Sequence, residues 1–184
     1  MHLALARCAP WLAAVLVACA APPTSPPVAN RQTPLLRLSP ATLGRSLALQ
    51  QQLAVTAAGQ TQRVEVLLEA DPDVVRLAVL NLGQTVARLE WDGQRLQETR
   101  SAWWPAAVRG EFILSDVQLV WWPADAVRAA LPPGWTLRET PDRRELAEGG
   151  ELAVVVRYLS PAQVELDHLR AGYHLRIESI SLNR

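Results

Sequence analysis

Lysine is absent from this 184-residue chain: its 18 positive side chains are all arginine, and 18 aspartates and glutamates balance them. That balance removes the basic face a nucleic-acid surface needs, so no nucleic acid is expected as a partner. Cysteine is nearly absent as well, with only Cys8 and Cys19, both ahead of the patterned part of the chain. Beyond the N-terminus the only histidines are His168 and His174, and with no cysteine beside them no metal-ligand spacing forms. There is no Gly-x-Ser-x-Gly elbow, phosphate loop or zinc-protease pattern, so no enzyme chemistry, metal or cofactor is expected. A hydrolase or thioesterase using His168 and His174 ranks far behind a binding role. Long apolar runs are missing too, since residues 11–18 (WLAAVLVA) are too few to span a bilayer.

That short run sits where export signals lie. Residues 1–18, with His2 and Arg7 ahead of the apolar stretch, read as a signal peptide. Leu16-Val17-Ala18-Cys19 resembles the bacterial lipobox, whose cysteine is acylated and becomes the first mature residue. Cleavage there removes Cys8 and leaves Cys19 as a lipid anchor, so the mature chain keeps no disulfide and depends on a packed core. By similarity, Ala20 in place of aspartate favours the outer membrane. Residues 19–45 then read as the lipidated cysteine and a tether carrying Pro22, Pro23, Pro26, Pro27, Pro34 and Pro40, with a reach on the order of 60 Å.

From residue 46 to 184 the patterning is that of one domain. Leu47, Leu49, Leu53 and Val55 alternate with Gln50, Gln52 and Thr56, and Val64, Val66 and Leu68 alternate with Arg63, Glu65 and Glu69. Val75, Leu77 and Val79 lead through Asn81-Leu82-Gly83-Gln84 into Ala87, Leu89 and Trp91, two half-buried strands around a tight turn whose tip is Leu82. The period then changes. Phe112, Ile113, Leu114, Val117, Val120 and Trp121 recur at helical spacing, with Ser115, Asp116 and Gln118 between them; Asp116 and Glu111 could be imagined as an acid pair, but the outward polar stripe of an amphipathic helix explains them. Trp122-Pro123 ends this helix, and a second short helical piece covers residues 125–131. Strand patterns resume at Trp135 and continue through Ile177. Strands, a helical insertion, then strands predict an α+β fold: a curved antiparallel sheet forming an incomplete barrel, with the insert as a lid over an apolar cavity.

These features resemble the LolA/LolB type of lipoprotein-carrier fold, LolB more closely. The resemblance rests on the lipobox, the meander, Leu82-Gly83-Gln84 followed by Val86-Ala87-Arg88-Leu89, the helical segment ahead of Leu131-Pro132-Pro133-Gly134-Trp135, and the terminal strand pairs, over residues 47–182. Val120-Trp121-Trp122-Pro123 also makes the chain similar to outer-membrane lipoproteins found beside aryl-polyene and xanthomonadin-type pigment pathways. The comparison implies an outer-membrane lipoprotein, facing the periplasm, that accepts a lipidated protein or an acylated or aryl-polyene lipid in an apolar cavity. It implies acyl chains as partners, a periplasmic carrier as their supplier, and a monomer. Leu82 matches the loop leucine that helps pass cargo to the membrane; as a turn leucine it equally fits packing on a neighbouring strand. Leu77, Val79, Leu89, Trp91, Phe112, Val117 and Trp121 are expected around the cavity or in plain core, and Trp103, Trp104 and Trp122 at its lid or rim or packed inside. The alternative reading is a scaffold lipoprotein whose concave face holds a protein partner.

Overall fold

The computed structural model describes residues 32–102, 104–106 and 108–182, which belong to one folded unit starting at Gln32. Five strands come first: β1 (Leu47–Ala57), β2 (Gln60–Ala70), β3 (Val75–Asn81), β4 (Gln84–Trp91) and β5 (Leu96–Arg100). Helices α1 (Gly110–Trp121) and α2 (Ala124–Ala130) follow, then β6 (Trp135–Thr140), β7 (Arg143–Glu148), β8 (Glu151–Ser160), β9 (Gln163–His168) and β10 (Tyr173–Ser181). All ten strands form one sheet in the order β5-β4-β3-β2-β1-β10-β9-β8-β7-β6, and every pairing is antiparallel. Every pairing joins sequence neighbours except that of β1 with β10, and the one pair of sequence neighbours left apart is β5 and β6. The free edges are therefore β5 and β6, and the helices are the connection between them. The expected open, curved α+β sheet with a helical insert is the architecture found.

The curvature follows from dimensions. Nine strand spacings would hold the edges roughly 43 Å apart in a flat sheet, whereas α1, with 12 residues, is roughly 18 Å long. Yet α1 touches inner side chains of β3, β4 and β5 and also bonds to Arg144 on β7, Tyr158 on β8 and Tyr173 on β10. Only a sheet curled around the helix satisfies both. The usual strand twist, accumulated over nine spacings, supplies the curl.

Alternation decides what faces inward. Val66 and Leu68, Val75, Leu77 and Val79, Ala87, Leu89 and Trp91, and Val164 and Leu166 are all buried, while the intervening Arg76, Arg88 and Glu90 are exposed. The pattern fails at β8, where Ala153, Val154, Val155 and Val156 are all buried, so that strand is covered on both faces. The edges are also protected: β5 is short and polar, and on β6 the Leu137 carbonyl accepts the Arg128 Nε–H at 3.1 Å, which discourages strand addition.

The boundary expected at residue 46 moves upstream. Leu36, Leu38 and Leu43 are buried in the main core, as is Pro40. Residues 36–39 form an extended strap across α1. The Leu36 N–H donates to Ser115 Oγ at 3.1 Å and the Leu38 N–H to Gln118 Oε1 at 2.9 Å, while the Leu38 carbonyl accepts from Gln118 Nε2 and Trp91 Nε1. Prolines deny this segment a helix, but the strap needs none, because two helix side chains satisfy backbone groups that a strand partner would otherwise take.

Candidate functional site

The site built by this fold is the space around α1. The helix ends where Trp122 turns extended (φ −75°, ψ 152°) ahead of Pro123, as the steric conflict before a proline requires. Its freed carbonyls are not left to solvent. Arg144, itself buried, donates through Nη1 to Leu119 O and Trp122 O, both at 2.7 Å, and pairs with Glu139 at 2.8 Å. The Tyr158 hydroxyl donates to Val120 O at 2.8 Å, and burial raises that phenol to about 12.

Asp116 points the other way from a solvent stripe. Its residue keeps partial exposure, but its carboxyl accepts the Tyr173 hydroxyl at 2.5 Å, and desolvation pushes it up to about 7, only partly offset by that bond. Tyr173 is pushed up as well, by burial and by the neighbouring Asp116. The outward position expected for Asp116 is thus corrected. Ser115 and Gln118 are buried, and all three are used to hold the helix. Glu111, the other acid considered for this helix, pairs with Arg109 instead, which holds its carboxyl below the usual range.

Against β3, β4 and β5 the helix offers only carbon. Ile113, Leu114 and Val117 face Val75, Leu77, Leu89, Trp91 and Leu96 around a void of about 10 Å³, about one water-sized sphere. Among the described residues no side-chain hydrogen bond or ion pair joins α1 to these strands. The contact is close at the helix start, where a Cβ on Gly110 would lie 2.8 Å from Leu89 Cδ2. The hollow interior expected for a carrier is therefore not open: side chains fill it. Leu77, Leu89, Trp91 and Val117 do meet at the void, while Val79 is buried elsewhere in the same core. Phe112 and Trp121 are half-buried, Phe112 beneath the Arg109 guanidinium. Trp122 is core and not rim, with no exposed surface and its Nε1–H on Thr42 Oγ1 at 3.1 Å. Trp104 is half-buried and packs against the core, its Nε1–H donating to Val108 O at 2.7 Å; Trp103 and Cys19 lie outside the described residues.

Leu82 is at a loop tip, 97% exposed. Leu82 and Gly83 have φ of 50° and 76°, the double left-handed geometry of a tight hairpin turn that favours Asn-Gly. Because the strands alternate in direction, the β1–β2, β3–β4 and β9–β10 turns and the loop after β5 share one end of the molecule. Exposed Leu82, Val108 and Leu169 therefore lie at that end. So do the half-buried residues Val55, Val64, Val86 and Leu175, of which Val64, Val86 and Leu175 pack against the core. His168 is no solvated turn residue: it is buried against Tyr173, which lowers its pKa. His174 Nδ1 lies 2.7 Å from Asp167 Oδ1, and among the described residues no group of three potential metal ligands occurs.

A curled, open antiparallel sheet wrapped on a pinned helix is the class of structure these observations define. Residues 48–181 match the family described as Protein of unknown function (DUF3261), and the chain belongs to that family. No curated protein matches it. Among solved structures it is similar to a DUF1329 family protein from Desulfovibrio piger ATCC 29098, at 9% identity and a TM-score of 0.37, covering 77% of this chain and 87% of that one. Among the described residues no helix is long and apolar enough to cross a membrane.

Proposed function

We propose that this protein accepts an apolar guest, the acyl chain of a lipid or lipidated protein, between α1 and the β3–β5 wall, and releases it at an outer membrane to which Cys19 anchors it. The observation that carries this reading is the lopsided attachment of α1: hydrogen bonds tie it to the strap and to β7, β8 and β10, and none ties it to the wall lined by aliphatic side chains and Trp91. With only about 10 Å³ free there, a guest enters by displacing the helix from that wall. Each lipid methylene taken from water returns about 0.8 kcal/mol, so a chain of ordinary length offsets the uncovering of three or four helix side chains at roughly 1.5–3 kcal/mol each. The half-buried Val55, Val64, Val86 and Leu175 lie at the same end as exposed Leu82, which suits hand-over there. The filled interior supports a second reading, a scaffold lipoprotein that binds a protein partner and takes up no lipid.

Mass spectrometry of lipid extracted from the full-length chain carrying Cys19→Ser, purified without detergent, separates the two. Under the carrier reading it shows bound acyl lipid or uptake of a fluorescent fatty-acyl lipid. A lipid-free preparation that also fails to take up the probe leaves the scaffold reading. Leu82→Glu should retain uptake and slow transfer to vesicles, and unchanged transfer removes Leu82 from the mechanism.

A further inference from the structure

On the outer face of the sheet, where β2, β1 and β10 run side by side, a groove of about 350 Å³ is lined by polar side chains, within the size range of small-molecule sites. Its layout follows from the register. Gln52 is flanked by Glu65 and Glu178, Ala54 by Arg63 and Arg176, and Thr56 by Thr61 and His174. Three rows result, roughly 6.8 Å apart along the strands: carboxylates, guanidiniums, then hydroxyls and an imidazole. Ala54, the smallest side chain in the block, forms the dip between the two guanidiniums.

Several of these groups are already spoken for. Arg176 is held by Glu165 at 2.9 Å, Glu65 accepts Gln50 Nε2 at 2.6 Å, and His174 Nδ1 lies 2.7 Å from Asp167. Burial alone would raise the Asp167 carboxyl, but His174 and Arg157 hold it below its ordinary value. Thr56 and Thr61 share a hydrogen bond across the strands. Two charges at the groove remain without an ion pair or side-chain hydrogen bond among the described residues: Arg63 on one bank and Glu178 on the other. They are of opposite sign, one row apart, and both exposed. A simple anion would satisfy one and be repelled by the other.

We propose that this groove binds a small soluble zwitterion that carries a phosphodiester and a primary ammonium a short carbon linker apart, of the glycerophosphoethanolamine class. The phosphate lies in the Ala54 dip against Arg63, with the Thr61 hydroxyl beside it. The ammonium lies one row down against Glu178 and the Gln52 amide oxygen. Charge-assisted bonds at both poles orient the ligand along the strands. A soluble ligand fits better than a bilayer, because no exposed large apolar side chain lines the groove; its one leucine, Leu53, belongs to the inner face. This site is separate from the α1 seam and stands whether or not the cargo reading holds.

Isothermal titration of the full-length Cys19→Ser chain with glycerophosphoethanolamine is the test, run beside glycerophosphoglycerol, inorganic phosphate and vesicles containing phosphatidylethanolamine. Saturable binding of glycerophosphoethanolamine is expected, weakened at least tenfold by Arg63→Gln and by Glu178→Gln, both exposed positions. Glycerophosphoglycerol and phosphate should bind at least tenfold more weakly, and Glu178→Gln, which removes the charge that repels them, should strengthen and not weaken their binding. Absence of binding at millimolar ligand overturns the proposal. So does equal affinity for the ligands lacking an ammonium, or a Glu178→Gln chain that binds as well as the parent. Vesicle binding lost in both variants, without binding of the soluble diester, overturns its soluble form and assigns the groove to a membrane headgroup.

Discussion

The two flanks of α1 are held by different physics. Toward the strap and β7, β8 and β10, its contacts are directional: Ser115 and Gln118 to the Leu36–Leu38 backbone, Arg144 and Tyr158 to the terminal carbonyls, Asp116 to Tyr173. Toward β3, β4 and β5 they are aliphatic, with a single water-sized void. Hydrogen bonds fix an angle and a distance, and leaving one unmade inside a protein is expensive. Apolar contact is non-directional, and another apolar surface can replace it. Under the proposed carrier function, the difference makes one flank the hinge side and the other the opening side.

Removing the strongest directional contact tests the hinge most severely. Arg144→Leu strips the donor from the Leu119 and Trp122 carbonyls, while Glu139 is exposed and returns to water, so a loss of about 2–4 kcal/mol is expected from the two unsatisfied acceptors. Urea unfolding measures it, and hydrogen exchange should show α1 deprotected while β1 and β2 keep their protection. A loss below about 1 kcal/mol would mean that the seam alone positions the helix.

A smaller and pH-dependent effect belongs to Asp116. Its carboxyl is raised from 3.8 to about 7 in the folded chain, so the folded state holds a proton that the unfolded state has released. Its contribution to stability is complete below about pH 4, is lost as pH rises toward 7, and is flat above that. At about 1.4 kcal/mol per unit the upper bound is ~4 kcal/mol. Asp116→Asn keeps an acceptor for Tyr173 and removes the titration. The variant should be more stable than the parent at pH 8, by roughly 1–3 kcal/mol on the same principle, with the advantage gone at pH 4. Denaturation curves whose pH dependence is the same in both chains would refute it.

The opening side was legible in the sequence and the hinge side was not. Strand alternation placed Leu77, Leu89 and Trp91 on one inner face, and helical spacing put Val117 opposite them, because apolar periodicity is a local signal. The strap was hidden by its prolines, which argue only against a helix; the trace of its burial is the alternation of Leu36 and Leu38 around exposed Arg37. Asp116 was misplaced, and the roles of Ser115 and Gln118 went unseen, for a related reason. A polar residue on an amphipathic helix reads as solvated unless its partner is known, and those partners are 57 to 80 residues away in sequence. The open curved sheet was readable from element order, whereas the closed interior depends on how side-chain volumes add up across strands, which no local pattern carries.

The finest test compares two turns at the same end. Ala58-Gly59 joins β1 to β2 and Leu82-Gly83 joins β3 to β4, with nearly equal dihedrals, φ 48° and 75° against 50° and 76°. Each forces a side chain into the left-handed region at a cost of about 1–2 kcal/mol, which asparagine reduces because it tolerates that region. Ala58→Asn and Leu82→Asn should therefore raise stability alike, each by roughly 0.5–1 kcal/mol. Only the second removes an exposed apolar tip from the hairpin that forms the opening side. If vesicle transfer of an acyl probe falls with Leu82→Asn and not with Ala58→Asn, the leucine is kept at the expense of stability for contact with the membrane. Equal transfer in the two variants would reduce Leu82 to an unfavourable turn residue and confine the opening side's role to the seam itself.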